Sequence, residues 1–168
     1  LKPAPLAKPE TLVRRVYFDL TGLPPTPKEV DAFLSDNSPK ALEKLIDNLM
    51  QRQTYGEHMA RYWLDLARYA DSNGMDDNLY YADAWRYRDW VIERFNADWP
   101  FDRFLVDQIA GDLVTPVPGE PASEAYARLI ATGFLTLGPK MLTEDDPTEQ
   151  QMDIVDDQID TLGRATLG

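Results

Sequence analysis

Residues 54–71 read TYGEHMARYWLDLARYAD, and the period of this stretch decides the fold. At 100° per residue, Tyr55, Met59, Tyr62, Trp63, Leu66 and Ala70 share one broad apolar side. Ala60, Leu64 and Ala67 fall on the opposite side and are also apolar. Between them runs one narrow line of His58, Arg61, Asp65 and Arg68. A helix that is apolar almost all round is expected to be buried, and buried charges must be paired or must line a cleft. Arg61, Asp65 and Arg68 stand within one-turn reach of each other, so an internal ion-pair network and a ligand site are both open readings.

Outward from this centre the chain reads as helices. Glu10–Leu20 carries an apolar stripe that Gly22 ends, with Pro24 and Pro25 behind it. Thr26-Pro27-Lys28-Glu29 is a capping box opening a short second helix, and Ser38-Pro39 starts a third. After the central stretch, 72–83 has no helical period and reads as a loop. Helices follow over Ala84–Ala97, Phe101–Ala110, from Ser123 to about Phe134, and over about Thr148–Leu162. No segment alternates long enough to make a sheet. The expected fold is all-α, about eight helices in an irregular orthogonal array around one buried central helix. Residues 1–9 read as linker and 10–168 as one domain.

Composition narrows the function classes. The chain of 168 residues is long enough for a real core, and its net charge of −12 repels phosphate backbones and anionic lipid. Nucleic acid is therefore not an expected partner, and no apolar run is long enough for a membrane span. The opening LKPAPLAKPE has no apolar signal-peptide core, so the chain is expected to be a piece of something longer. With no cysteine and one histidine, thiolate chemistry and multi-histidine metal sites are excluded.

Three clusters carry possible chemistry. Asp71, Asn73 and Asp76 resemble half of a calcium loop, but Met75 stands where an EF-hand needs its third oxygen ligand, leaving only an irregular site open. Trp85–Trp90, WRYRDW, suits sugar stacking or cation–π contacts, and equally suits a core. Glu149, Asp153, Asp156, Asp157 and Asp160 share one face of the last helix, to be solvated or docked on arginines elsewhere.

The strings RRVYFDLTGLPPTP (14–27), YGEHMARYWLDLARYADSNG (55–74), AWRYRDWVIERFNAD (84–98), FDRFLVDQIAGDL (101–113) and IATGF (130–134), in this order, closely resemble the planctomycete-type cytochrome-associated domain. This is a family of unknown function. The matching positions include His58, Arg61, Trp63, Asp65, Arg68, Tyr69, Asp71 and Asn73, and further on Arg86, Arg88, Asp89, Asn96, Asp98 and Asp112. The resemblance implies a module of a large secreted or periplasmic protein, with haem-bearing neighbouring domains as partners. It also implies a link to polysaccharide metabolism, with polysaccharide as a further partner. In the family a CxxCH haem-attachment motif follows the segment matching TLGRATLG. This chain ends at Gly168 without a cysteine, so no cofactor is expected in it, and c-type haem is expected only in the missing segment or in neighbouring domains.

Three functions stay open. The first is a binding or scaffolding module, with Arg61, Asp65, Arg68, Asp71, Asn73, Trp85, Arg86 and Asp89 lining a cleft between the central helix and the next, where arginines grip acidic or sulfated sugars. The second is a carbohydrate-active or redox enzyme with His58 as general acid or base and Asp65 or Asp71 as its partner. The third is a purely structural lead-in to the haem segment.

Overall fold

The computed structural model describes residues 5, 7–74, 78–140 and 146–167. Among these the secondary structure is eight α-helices, one 3₁₀ helix and a single isolated bridge between Ser72 and Tyr80, so the protein is all-α. The chain packs as two compact units, Leu1–Met59 and Ala60–Gly168, where the sequence alone groups 10–168 together.

The first unit holds α1 (Pro9–Thr21), α2 (Pro27–Ser35), α3 (Ala41–Met50) and the start of α4 (Gln53–Leu66). Val13, Tyr17 and Leu49 form its core, with Val16, Leu20, Val30, Phe33 and Leu45 packed around them. Helix α1 stops where Gly22 takes φ 68° and its N–H donates to the Phe18 carbonyl. Only glycine fits here, because a Cβ would stand 2.6 Å from His58 Nδ1. Helix α2 opens with the expected capping box: the Glu29 carboxylate accepts from Thr26 N–H at 2.8 Å, and Thr26 Oγ1 accepts from Glu29 N–H. The other Glu29 oxygen accepts from Arg52 at 2.8 Å, tying α2 to the end of α3.

The second unit comprises the rest of α4, then α5 (Ala84–Asn96), α6 (Phe101–Ala110), α7 (Ala122–Ala131) running into the 3₁₀ helix Thr132–Leu135, and α8 (Pro147–Leu167). Its core is aromatic. Trp63 meets Phe104 edge-on at 4.9 Å and stacks on Phe134 at 5.7 Å, while Trp90 stacks on Phe104 at 5.2 Å. At its centre the fully buried Gln108 accepts from Trp63 Nε1 at 2.7 Å and from the Tyr87 hydroxyl at 2.6 Å. Its own amide donates to the Phe104 carbonyl, so the Trp63 indole and the Tyr87 hydroxyl are satisfied inside the core, whereas the buried Trp90 Nε1 has no hydrogen-bond partner. Helix α7 starts at Ala122 behind Pro121, with no side-chain cap from Ser123. Asp146 caps α8 by accepting from the N–H groups of Thr148 and Glu149.

The central helix departs from expectation in two ways. It is not buried all round: Ala60, Trp63 and Ala67 face the core, while Arg61 and Asp65 are exposed and Tyr62 keeps 61% of its surface. Small residues at 60 and 67 let the helix approach the core on that stripe, and the larger Tyr62 and Leu66 stay outside it. It is also shorter, ending at Leu66 rather than Asp71. Tyr69 N–H donates to the Leu64 carbonyl, Arg68 N–H donates to that of Asp65, and Arg68 adopts φ 53°. This is a Schellman stop with arginine at the left-handed position that glycine usually takes. The same motif ends α5, with Trp99 N–H on the Arg94 carbonyl and Asp98 at φ 48°.

Candidate functional site

The structure sends the expected site residues to several environments. His58 belongs to the first unit, half-buried beside Gly22; Asp65 belongs to the second and is exposed, as is Arg61. Arg68 turns inward and its guanidinium pairs with Asp157 of α8, which among the described residues is the one member of the acidic face docked on a distant arginine. Asp71 accepts from the Tyr69 hydroxyl at 2.6 Å; burial first, and this hydrogen bond second, push the tyrosine pKa up to about 12. Asn73 is a loop anchor. Its side-chain oxygen accepts from Leu79 N–H at 2.7 Å, and its amide donates to the Lys140 carbonyl at 3.1 Å. Asp76 lies outside the described residues, and among those described no group of three or more acidic or histidine side chains is placed to hold a metal ion. Asp89 is ion-paired with its neighbour Arg88 at 2.7 Å.

Arg86 goes elsewhere, to a cleft of about 520 Å³ between the start of α5 and the end of α7. Tyr80, Tyr81 and Asp83 form one wall; Leu129, Ile130, Thr132 and Thr136 form the other. Gly133 and Tyr87 lie together at its floor, where a Cβ on the glycine would come within 3.3 Å of that ring. Arg86 is oriented twice. Its Nε–H donates to Asp83 at 2.9 Å, and its guanidinium lies 4.8 Å above the half-exposed Trp85 ring. The hydrogen bond to Asp83 raises the Arg86 pKa from its ordinary value, fixing a permanent positive charge at the cleft. Tyr81 lines the cleft with a buried hydroxyl that has no hydrogen-bond partner, and burial pushes its pKa up. Tyr80 lies beside it, 71% exposed.

A volume of this size, aromatic walls and a few convergent polar groups are what a small-molecule site requires. The charged and aromatic parts, Trp85 and Arg86, are visible in the WRYRDW string, but Tyr80, Tyr81 and the 129–136 wall are not singled out by any local pattern.

Among the described residues no helix is long and apolar enough to cross a membrane. No curated protein and no solved structure matches the chain. A family profile does match, and it spans every residue: over 1–168 the chain belongs to the PSCyt2 family, described as a protein of unknown function (DUF1549).

Proposed function

We propose that this chain is a binding module of a larger extracytoplasmic, haem-bearing protein, and that the α5–α7 cleft takes sugars bearing a sulfate or carboxylate. The observation that carries this reading is the convergence of a pre-oriented arginine, an unpartnered tyrosine hydroxyl and an exposed tyrosine ring on one cleft. A guanidinium held by Asp83 and Trp85 loses little freedom on binding an anion, and an aromatic ring offers a stacking face to the C–H side of a sugar. The link to polysaccharide metabolism and to haem-bearing neighbours rests on the family resemblance. The test is a titration of the ¹⁵N-labelled chain with a sulfated tetrasaccharide and its desulfated counterpart. The sulfated sugar is expected to bind, and Arg86→Ala to weaken it at least tenfold without change in helical content. Equal binding by Arg86→Ala, or no saturable binding of either sugar, ends this reading.

A second reading, that the chain is structural support for a neighbouring haem segment, draws on one observation. Arg68 and Asn73, which stood in the expected site, are both engaged by partners within the second unit.

A further inference from the structure

Between α6, α7 and the loops on either side of α6 lies a second cavity of about 340 Å³, separate from the α5–α7 cleft in every residue that lines it. Asp107 lines it, only 6% exposed, and its Oδ2 has no hydrogen-bond partner. Arg128 and Trp99 line it too, each with a buried N–H, Nε and Nε1, that is likewise unpartnered. Trp99 Nε1 approaches the Asp107 carboxyl and stops short of a hydrogen bond. Orphaned buried polar atoms are rare, and here one acceptor and two donors border a single cavity.

The charges around it are already matched in part. Arg128 is held by Glu120 through both terminal nitrogens, and Arg94 by Glu124 at 2.9 Å, its guanidinium 4.4 Å above Trp99. Asp107, by contrast, has no ion-pair partner among the described residues, although Arg94 and Arg128 act on it from nearby. A cationic ligand would meet Arg94 and Arg128 flanking that carboxyl; an anionic ligand would meet Glu120, Glu124 and Asp107. The atom that satisfies the orphans must donate to Oδ2 and accept from an N–H at once, which is what a hydroxyl does. Val106, Val114 and Val117 supply apolar wall for the carbon skeleton. The volume lies at the small end of the ligand-pocket range.

The geometry points to a second binding pocket at Asp107, Trp99 and Arg128 that takes a neutral, hydroxyl-bearing molecule of monosaccharide size. It is independent of the anionic-sugar reading of the first cleft, and its occupant carries no charge.

The experiment follows the indole N–H resonances of the whole ¹⁵N-labelled chain during titration with erythritol and methyl α-D-glucopyranoside, with methylammonium and acetate as charged controls. The expected result is a saturable shift of the Trp99 resonance with a neutral probe, larger than with either ion. Asp107→Asn, which keeps the size and one acceptor but adds a donor, is expected to weaken it at least tenfold. Val117→Trp, which places a large ring at the exposed loop wall of the cavity and leaves Asp107 itself unchanged, is expected to abolish it and stands in if the Asn variant does not fold. No saturable shift up to 100 mM, the outcome if the cavity holds water only (roughly the concentration at which even weak fragment binding registers), overturns the inference. So does an unchanged response in Val117→Trp, or a stronger response to either ion.

Discussion

Arg68 stands in the left-handed region at φ 53° while its guanidinium pairs with Asp157, which lies 89 residues further along the chain. A non-glycine residue at this angle costs about 1 kcal/mol or more, so the position trades local strain against a distant contact. The pair sits under Gly138, where a Cβ would come within 2.6 Å of Asp157 Oδ2 and 2.7 Å of the Arg68 guanidinium. Both side chains keep about a fifth of their surface, 20% and 19%, so the pair is only partly desolvated.

Two substitutions at this position separate the terms. Arg68→Ala keeps the strain and leaves Asp157 unpaired, and is expected to cost about 2–4 kcal/mol. Arg68→Gly also loses the pair but relieves the backbone, and should be about 1 kcal/mol more stable than the alanine variant. Urea unfolding followed by tryptophan fluorescence reads this directly, since Trp63, Trp85, Trp90 and Trp99 all belong to the second unit. Equal stability of the two variants would mean that the left-handed angle carries no strain.

The contrast with α2 shows which parts of the fold a sequence discloses. The Thr26–Glu29 box and the Gly22 stop are local, each formed within four residues, and both are legible from residue type. The stop of α4 is equally local in geometry, yet Arg68 occupies the place where glycine would announce it, and apolar periodicity runs on through Tyr69 and Ala70. What holds Arg68 there is Asp157, and pairing at that separation leaves no local mark. The acidic face of α8 could be read as solvated or docked, and the choice for Asp157 needed the fold. Likewise Arg86 was legible as a cation beside aromatics, but the tyrosines and the α7 wall that make it part of a cleft come together only by packing.

Glu29 gives the first unit an acid-sensitive element. Burial alone would raise its pKa, but hydrogen bonds from the Thr26 N–H and hydroxyl and from Arg52 outweigh burial and hold it at about 2. Because the folded pKa lies below the ordinary carboxylate value, the stabilisation is present above pH about 4.5 and disappears as pH falls toward 2. Allowing for solvent screening of a partly exposed group, it amounts to about 1–2 kcal/mol. Glu29→Gln should lose about that much at pH 7 and little at pH 2. A carboxyl-carbon NMR titration that places Glu29 near 4.5 would remove the basis for this expectation.

Two glycines with opposite surroundings make a paired test of close approach. A Cβ on Gly111 would collide with the backbone carbonyls of Asp107 and Arg128, where α6 and α7 come together. Neither neighbour is a flexible side-chain end, so Gly111→Ala is expected to cost about 2–4 kcal/mol. Gly163 lies inside α8 with nothing within 4 Å of the added methyl, so Gly163→Ala should stabilise by about 0.5–1 kcal/mol. A Gly111→Ala melting temperature that does not fall would contradict the close approach of α6 and α7, and a Gly163→Ala melting temperature that falls would contradict the open space beside α8.

Gln108 is the polar centre on which the aromatic core of the second unit converges. Replacing it with leucine keeps nearly the same volume and adds apolar surface, so on burial alone the change is close to neutral. The hydrogen bonds decide otherwise. Trp63 Nε1 would keep Tyr87 Oη as an acceptor at 3.1 Å, but the tyrosine hydroxyl would lose its own acceptor in a fully desolvated site. One buried donor left unpaired costs about 1–3 kcal/mol, and Gln108→Leu is expected to destabilise by that amount. The double variant Gln108→Leu with Tyr87→Phe removes the orphaned hydroxyl but leaves Trp63 Nε1 as the unpaired donor in its place, so it is expected to be no more stable than Gln108→Leu. Adding Trp63→Phe is expected to recover the hydrogen-bond term but to open a cavity beside Phe104 and Phe134. Stability of the three variants by urea unfolding, followed by far-ultraviolet circular dichroism because a fluorophore changes, orders these terms. If Gln108→Leu matches the wild type, the amide contributes nothing beyond its volume.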